Sequence, residues 1–159
     1  MRLQISAVGR ISGTPEAQLA DEYVRLVNAL ARQAGLKGLR VAEVEARRSE
    51  GAARLAEEGE LLTRSLPPGG LVVALDRRGE PWSSEELAKR LGEARDRALP
   101  SMTFLVGGAD GLAEPLLKAA DRRLSFGAQT WPHRLVRAML LEQIYRATTI
   151  LVGHPYHRG

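Results

Sequence analysis

A chain of 159 residues, 44% hydrophobic and 26% charged, is long enough for a single domain to bury a sizeable core and too ordinary in composition to be disordered. It contains no cysteine, which excludes disulfides, thiolate zinc sites and a thiol nucleophile. The net charge of +4 is concentrated: residues 122–159 hold six of the 23 Lys+Arg, one of the 19 Asp+Glu and all three histidines. A contiguous basic quarter suits a polyanion such as nucleic acid, and equally a solvated helix face. Residues 1–9 are too short and too alternating for a signal peptide, and no apolar run approaches the roughly 20 residues of a membrane span, so a soluble cytoplasmic protein is expected.

In chain order, Leu3, Ile5, Ala7 and Val8 have the pattern of a buried strand that turns at Gly9. Thr14 and Pro15 suit the N-cap and first position of a helix whose apolar stripe (Leu19, Tyr23, Leu26, Val27, Leu30) carries it to about Ala34. Leu39, Val41 and Val44 have strand character, and a helix from about Ser49 to Ser65 follows until Pro67-Pro68-Gly69-Gly70 breaks it. Leu71 to Leu75 is a continuous apolar run, as in a parallel strand covered on both faces, with a loop expected at Asp76-Arg77-Arg78-Gly79.

Ser83 and Glu86 have capping-box spacing for a helix to about Ala98, and Met102 to Val106 forms another buried strand. Gly107 to Gly111 turns the chain into a short helix over Leu112 to Ala120. Leu124 to Phe126 reads as a last strand, and Pro132 opens a long helix with the stripe Val136, Leu140, Ile144, Ala147, Leu151. Strands alternating with helices predict an α/β fold with a mainly parallel sheet, in which ligands bind beyond the carboxyl ends of the strands. That rule selects the loops after Leu75, Val106 and Leu124.

In LVGGADGL, Leu105 to Leu112, glycines allow close backbone approach to a ligand, although a tight strand-to-helix turn needs them equally. The segment matches neither a dinucleotide fingerprint nor a P-loop. SFGAQTWPHR, Ser125 to Arg134, offers backbone amides and an aromatic wall to a flat polar ligand; alternatively Trp131 is a core anchor. In HPYHR, Tyr156 suits stacking on a base and Arg158 a phosphate, or Tyr156 simply closes the domain. No metal is expected: His154 and His157 have no third ligand nearby, and Pro155 interrupts helical geometry.

Five segments, LQISAVGR, LDRRGEPWSSEELA, FLVGGADGL, LSFGAQTWPHRLVRAMLLEQIYRA and HPYHR, follow in order those of the RlmH family, which the chain resembles over nearly its whole length. These are bacterial SPOUT-class methyltransferases acting on pseudouridine in 23S rRNA. The resemblance implies a single SPOUT-type α/β domain over 1–159, with a C-terminal trefoil knot in roughly 70–159, and a homodimer whose active sites borrow from the neighbouring chain. It implies methyl transfer from S-adenosylmethionine to N3 of a pseudouridine in helix 69, on the assembled ribosome rather than naked RNA. The cofactor pocket would be made by Leu75, Gly107, Phe126, Gly127, Ala128, Gln129, Thr130 and Trp131. His154, Tyr156, His157 and Arg158 become candidates for catalysis, with no base assigned, and Arg134, Arg137 and Arg158 for RNA contact. Arg146 belongs either to the RNA path or to a pair with Glu142 one turn earlier. Two alternatives stand beside this reading, an inactive ribosome- or rRNA-binding protein that kept the fold, and an unrelated α/β enzyme using another nucleotide.

Overall fold

The computed structural model describes residues 1–47 and 50–158, the side chain of Arg158 excepted. The order is β1 (Arg2–Val8), α1 (Pro15–Ala31), β2 (Leu39–Val44), α2 (Gly51–Ser65), β3 (Leu71–Pro81), α3 (Ser84–Asp96), β4 (Ser101–Val106), α4 (Glu114–Ala119), β5 (Arg122–Ser125) and α5 (His133–Val152), then a 3₁₀ segment over Pro155–Arg158. The five strands form one sheet, β2-β1-β4-β3-β5, and all four pairings are parallel. The α/β expectation is met; the proposed start of α2 at Ser49 lies outside the described residues.

Helix starts follow local chemistry. The Thr14 hydroxyl accepts from the Ala17 amide at 3.2 Å, with Pro15 in the first turn where its missing N–H costs nothing. At α3 the capping box is complete: Ser83 Oγ accepts from the Glu86 amide at 3.1 Å, and the Glu86 carboxylate accepts from the Ser83 amide at 2.7 Å.

Strand alternation divides the interior in two. Leu3, Ile5 and Ala7 of β1 and Met102, Phe104 and Val106 of β4 join α1, α3 and α5 on one face of the sheet. Val8, Ala74 and Leu105 meet Leu62 of α2 and Leu116 and Leu117 of α4 on the other. Gln4 and Ser6 lie on this second face, where their period-2 polarity suggests solvent, yet both are fully buried. Gln4 Nε2 donates to Ser6 Oγ (2.7 Å) and to the Ser65 carbonyl (2.8 Å), while Gln4 Oε1 accepts from Arg40 Nε (2.6 Å). The polar side chains are thus satisfied beneath α2, as burial requires.

One expected loop needs correction. The chain does not leave the sheet at Asp76: β3 runs on to Pro81, and residues 76–79 form a bulge in its pairing with β5. Leu124 stands opposite both Leu75 and Glu80, so pairing stops and resumes in the same parallel sense. Gly79 lies on the β5 backbone; a Cβ there would come within 2.7 Å of the Arg123 carbonyl, so no other residue fits.

Ile144, fully buried at the centre of α5, gives a stability test. Ile144→Ala is expected to cost about 2–5 kcal/mol, read as a lower urea midpoint with unchanged slope, against about 1 kcal/mol for the cap substitution Ser83→Ala.

Candidate active site

The carboxyl ends of β3, β4 and β5 open into one cleft of about 480 Å³, the size of a small-molecule site. Leu75, Val106, Leu124, Phe126 and Val136 give it apolar walls, and the glycine loop and the bulge in β3 form its polar rims. Of the eight residues that the resemblance assigns to a cofactor, Leu75, Gly107, Phe126, Gly127, Gln129, Thr130 and Trp131 line this cleft. Ala128 is exposed and stands outside the lining.

The glycine loop folds on itself. Gly111 N–H donates to the Gly108 carbonyl at 3.1 Å, and a Cβ on Gly107 would meet the Gly111 backbone at 2.4 Å. Gly107 is therefore required by the turn, and the same turn forms a wall of the cleft. Trp131 is 39% exposed, which removes the core-anchor reading; its indole N–H donates to the Phe126 carbonyl at 3.3 Å and holds the ring as an aromatic wall. Ser125 Oγ donates to the Arg77 carbonyl at 3.1 Å and accepts from the Gly127 amide at 3.1 Å, tying the bulge to the loop after β5.

The bulge carries charges that sequence reasoning left unassigned. Arg78 reaches Asp76 (3.3 Å) and Glu114 (3.4 Å), and Arg123 lies 3.8 Å from Asp76, whereas Arg77 lines the cleft. His133 also lines it, from the first turn of α5. Burial, then the neighbouring Arg134 and Arg137, push its imidazole below the ordinary histidine value, against a smaller opposite pull from Glu58. The unusual composition of residues 122–159 was the signal for His133, although it does not separate one histidine from another.

The tail lies elsewhere. Tyr156 packs on Tyr145 (ring centroids 4.6 Å apart), donates to Glu142 Oε1 at 3.1 Å, and receives the Arg146 guanidinium 4.9 Å above its ring. Burial, with hydrogen bonding to Tyr23 and Glu142, raises the phenol well above its usual range. His157 Nε2 sits 3.3 Å from Glu85, and exposed His154 accepts at Nδ1 from the Tyr156 amide at 3.2 Å. Glu142 is about 14 Å along the helix axis from His133, and among the described residues none of the tail lines the chain's own cleft.

Residues 1–157 match a family described as "Predicted SPOUT methyltransferase". Curated relatives align from end to end over 160 residues. One from Rhodopseudomonas palustris (strain HaA2) is 48% identical and one from Rhodospirillum rubrum 52%, each over 100% of both chains and each named "Ribosomal RNA large subunit methyltransferase H". A third, from Afipia carboxidovorans, bears the same name at 47% identity over the same coverage. The chain is a member of the RlmH family of SPOUT methyltransferases.

Within this SPOUT fold the arginines separate. Arg134 is exposed at the start of α5, free to meet a polyanion. Arg137 is only 1% exposed: it pairs with Glu43 and donates from Nη2 to the Val8 (3.2 Å) and Gly9 (2.8 Å) carbonyls. Its expected RNA contact is corrected, because a guanidinium buried inside the fold and turned onto Glu43 and two carbonyls is out of reach of a phosphate. Arg146 takes the intramolecular option, donating to Glu142 Oε1 at 3.0 and 2.7 Å. The Arg158 side chain lies outside the described residues.

Arg137→Ala leaves Glu43 and two strand-end carbonyls without their partner, and is expected to lower stability by about 2–4 kcal/mol. Arg134→Ala should move it by less than about 0.5 kcal/mol in the same urea titration.

Proposed function

We propose that this protein methylates large-subunit ribosomal RNA, transferring the methyl group of S-adenosylmethionine to N3 of a pseudouridine in helix 69 of 23S rRNA on the assembled ribosome. One observation carries the reading: the three segments singled out by family resemblance, the bulge in β3 and the loops after β4 and β5, converge on a single cleft. Membership in a methyltransferase family and relatives named as ribosomal RNA large subunit methyltransferases support it.

The cleft suits this cofactor. Its apolar walls fit an adenine, the turned glycine loop and the loop after β5 present backbone to a ribose and an amino-acid moiety, and Asp110 supplies negative charge for a cationic ligand. Leu75, Gly107, Phe126, Gly127, Gln129, Thr130 and Trp131 would hold it, by backbone and van der Waals contact more than by charged side chains. When bound, S-adenosylmethionine supplies an electrophilic methyl group on a sulfonium. Alignment of that group with the acceptor nitrogen accounts for much of the rate in an in-line displacement, and the walls of the cleft provide it.

Two further parts of the reading follow from where the tail lies. His154, Tyr156, His157 and Arg158 serve catalysis from a second copy of the chain, since Tyr156 is docked beside Glu142, away from its own cleft. The working unit is thus a homodimer, its two chains carrying the trefoil knot that the family implies. Arg134 and Arg158 contact RNA, the former from the exposed start of α5. Helix capture on a ribosome surface compensates for a domain with little area to read sequence.

The decisive experiment incubates the protein with labelled S-adenosylmethionine and ribosomes from a strain lacking the activity, then maps methyl groups by mass spectrometry. A methyl on N3 of a helix 69 pseudouridine is the expected product; no incorporation there refutes the reading. Deleting residues 154–159 is expected to leave a folded dimer that binds S-adenosylmethionine by calorimetry but incorporates methyl at least about 100-fold more slowly. A truncated protein with normal turnover removes the tail from the mechanism.

A further inference from the structure

Methylation at N3 requires that a proton leave that nitrogen, and the cleft holds one group suited to take it. His133 stands in the cleft wall beside Trp131 and the glycine loop, in the same chain as the cofactor loops. Its imidazole makes no hydrogen bond and no ion pair among the described residues, unlike His157, which faces Glu85, and His154, whose Nδ1 is occupied by a backbone amide. The ring is only partly buried, and the residue beside its Nε2 edge is Gly9, where an added Cβ would stand 3.9 Å from Nε2, an ordinary van der Waals contact. The tail phenol is a poor alternative, because Tyr156 donates its proton to Glu142 inside a partly buried aromatic cluster.

We infer that His133 is the proton acceptor of the methyl transfer. The inference rests on the proposed function and adds a residue and a role that the family resemblance does not assign. In the step, the N3–H bond of the pseudouridine breaks and its proton passes to an imidazole nitrogen of His133. The nitrogen lone pair so released forms the N–CH₃ bond, the carbon–sulfur bond breaks, and its electron pair stays on sulfur as a neutral thioether. The imidazolium then returns its proton to water.

The surroundings of His133 keep it neutral and ready for that task. Arg134 and Arg137 on its own helix oppose protonation, and Glu58 on α2, itself paired with Arg54 at 3.0 Å, favours it more weakly. Glu43 on β2 is already engaged by Arg137, so it does not compensate the arginine fully at the imidazole. Burial, then these arginines, bias the imidazole toward its neutral, proton-accepting form, and general-base assistance of this kind is worth about 10²- to 10⁴-fold in rate.

Three measurements test it. In single-turnover methyl transfer to ribosomes, H133Q is expected to be at least about 100-fold slower than the wild type while its S-adenosylmethionine affinity, by calorimetry, stays within about twofold. The wild-type rate should fall only below the ordinary histidine value of 6.5, and the residual rate of H133Q should lack that acid limb. Independently of activity, the His133 imidazole in the free wild-type protein should titrate below 6.5 by NMR. An H133Q protein with wild-type turnover, a slow variant that keeps the wild-type pH profile, or a midpoint at or above 6.5 overturns the inference. A wild-type protein that transfers no methyl group overturns the proposed function itself, so the two failures are distinguishable.

Discussion

The guanidinium of Arg137 holds the cleft together. A parallel strand ends with carbonyls that its neighbours no longer satisfy, and here those of Val8 and Gly9 are taken up by an arginine from a helix that follows them by more than 120 residues. The same side chain reaches Glu43 on β2, so the beginning of α5 is tied to two strand ends at once. Desolvating such a pair cancels much of its attraction, which makes its main effect positional. His133, one turn before Arg137, and the loop carrying Trp131 take their places from this attachment. Moving the start of α5 by an ångström would displace one wall of the cleft relative to the glycine loop that forms another.

Much of this architecture is legible in the sequence because its signals are local. Thr14-Pro15 and Ser83 with Glu86 mark helix starts by chemistry completed within four residues, and the apolar run from Leu71 identifies a strand covered on both faces. What escaped depends on distant partners. Gln4 and Ser6 alternate with apolar residues as though facing water, and only the arrival of Ser65 and Arg40 makes their burial affordable. Asp76 to Gly79 has a loop's composition and is a bulge because β5 resumes pairing beyond it. Arg134 and Arg137 differ by three positions on one helix, enough to place one in solvent and the other in the interior.

The site divides in the same way. The cleft is lined by the loops after β4 and β5 and by the bulge in β3, and the strand-end rule finds all three places without knowledge of the chemistry. The composition of the tail gives no sign of its address: the 3₁₀ segment folds back onto Tyr145, Arg146 and Glu142 rather than over the cleft of its own chain. The cleft thus meets the first turn of α5, whereas Tyr156 of the 3₁₀ segment packs against the second half of the same helix.

The central pair of strands has a consequence for how the molecule is made. Arg2 of β1 stands opposite Ser101 of β4, so the middle of the sheet closes only when strands about 100 residues apart in sequence have both been made. Until then β1 is paired along one edge only, with β2, and its apolar side, Leu3, Ile5 and Ala7, has α1 but not yet α3 and α5 against it. Contacts so remote in sequence are slow to form, and an unpaired apolar strand is prone to join the wrong partner meanwhile. The stretch exposed to that hazard is β1, and the residues that complete its cover, on α5, follow it by more than 120 residues.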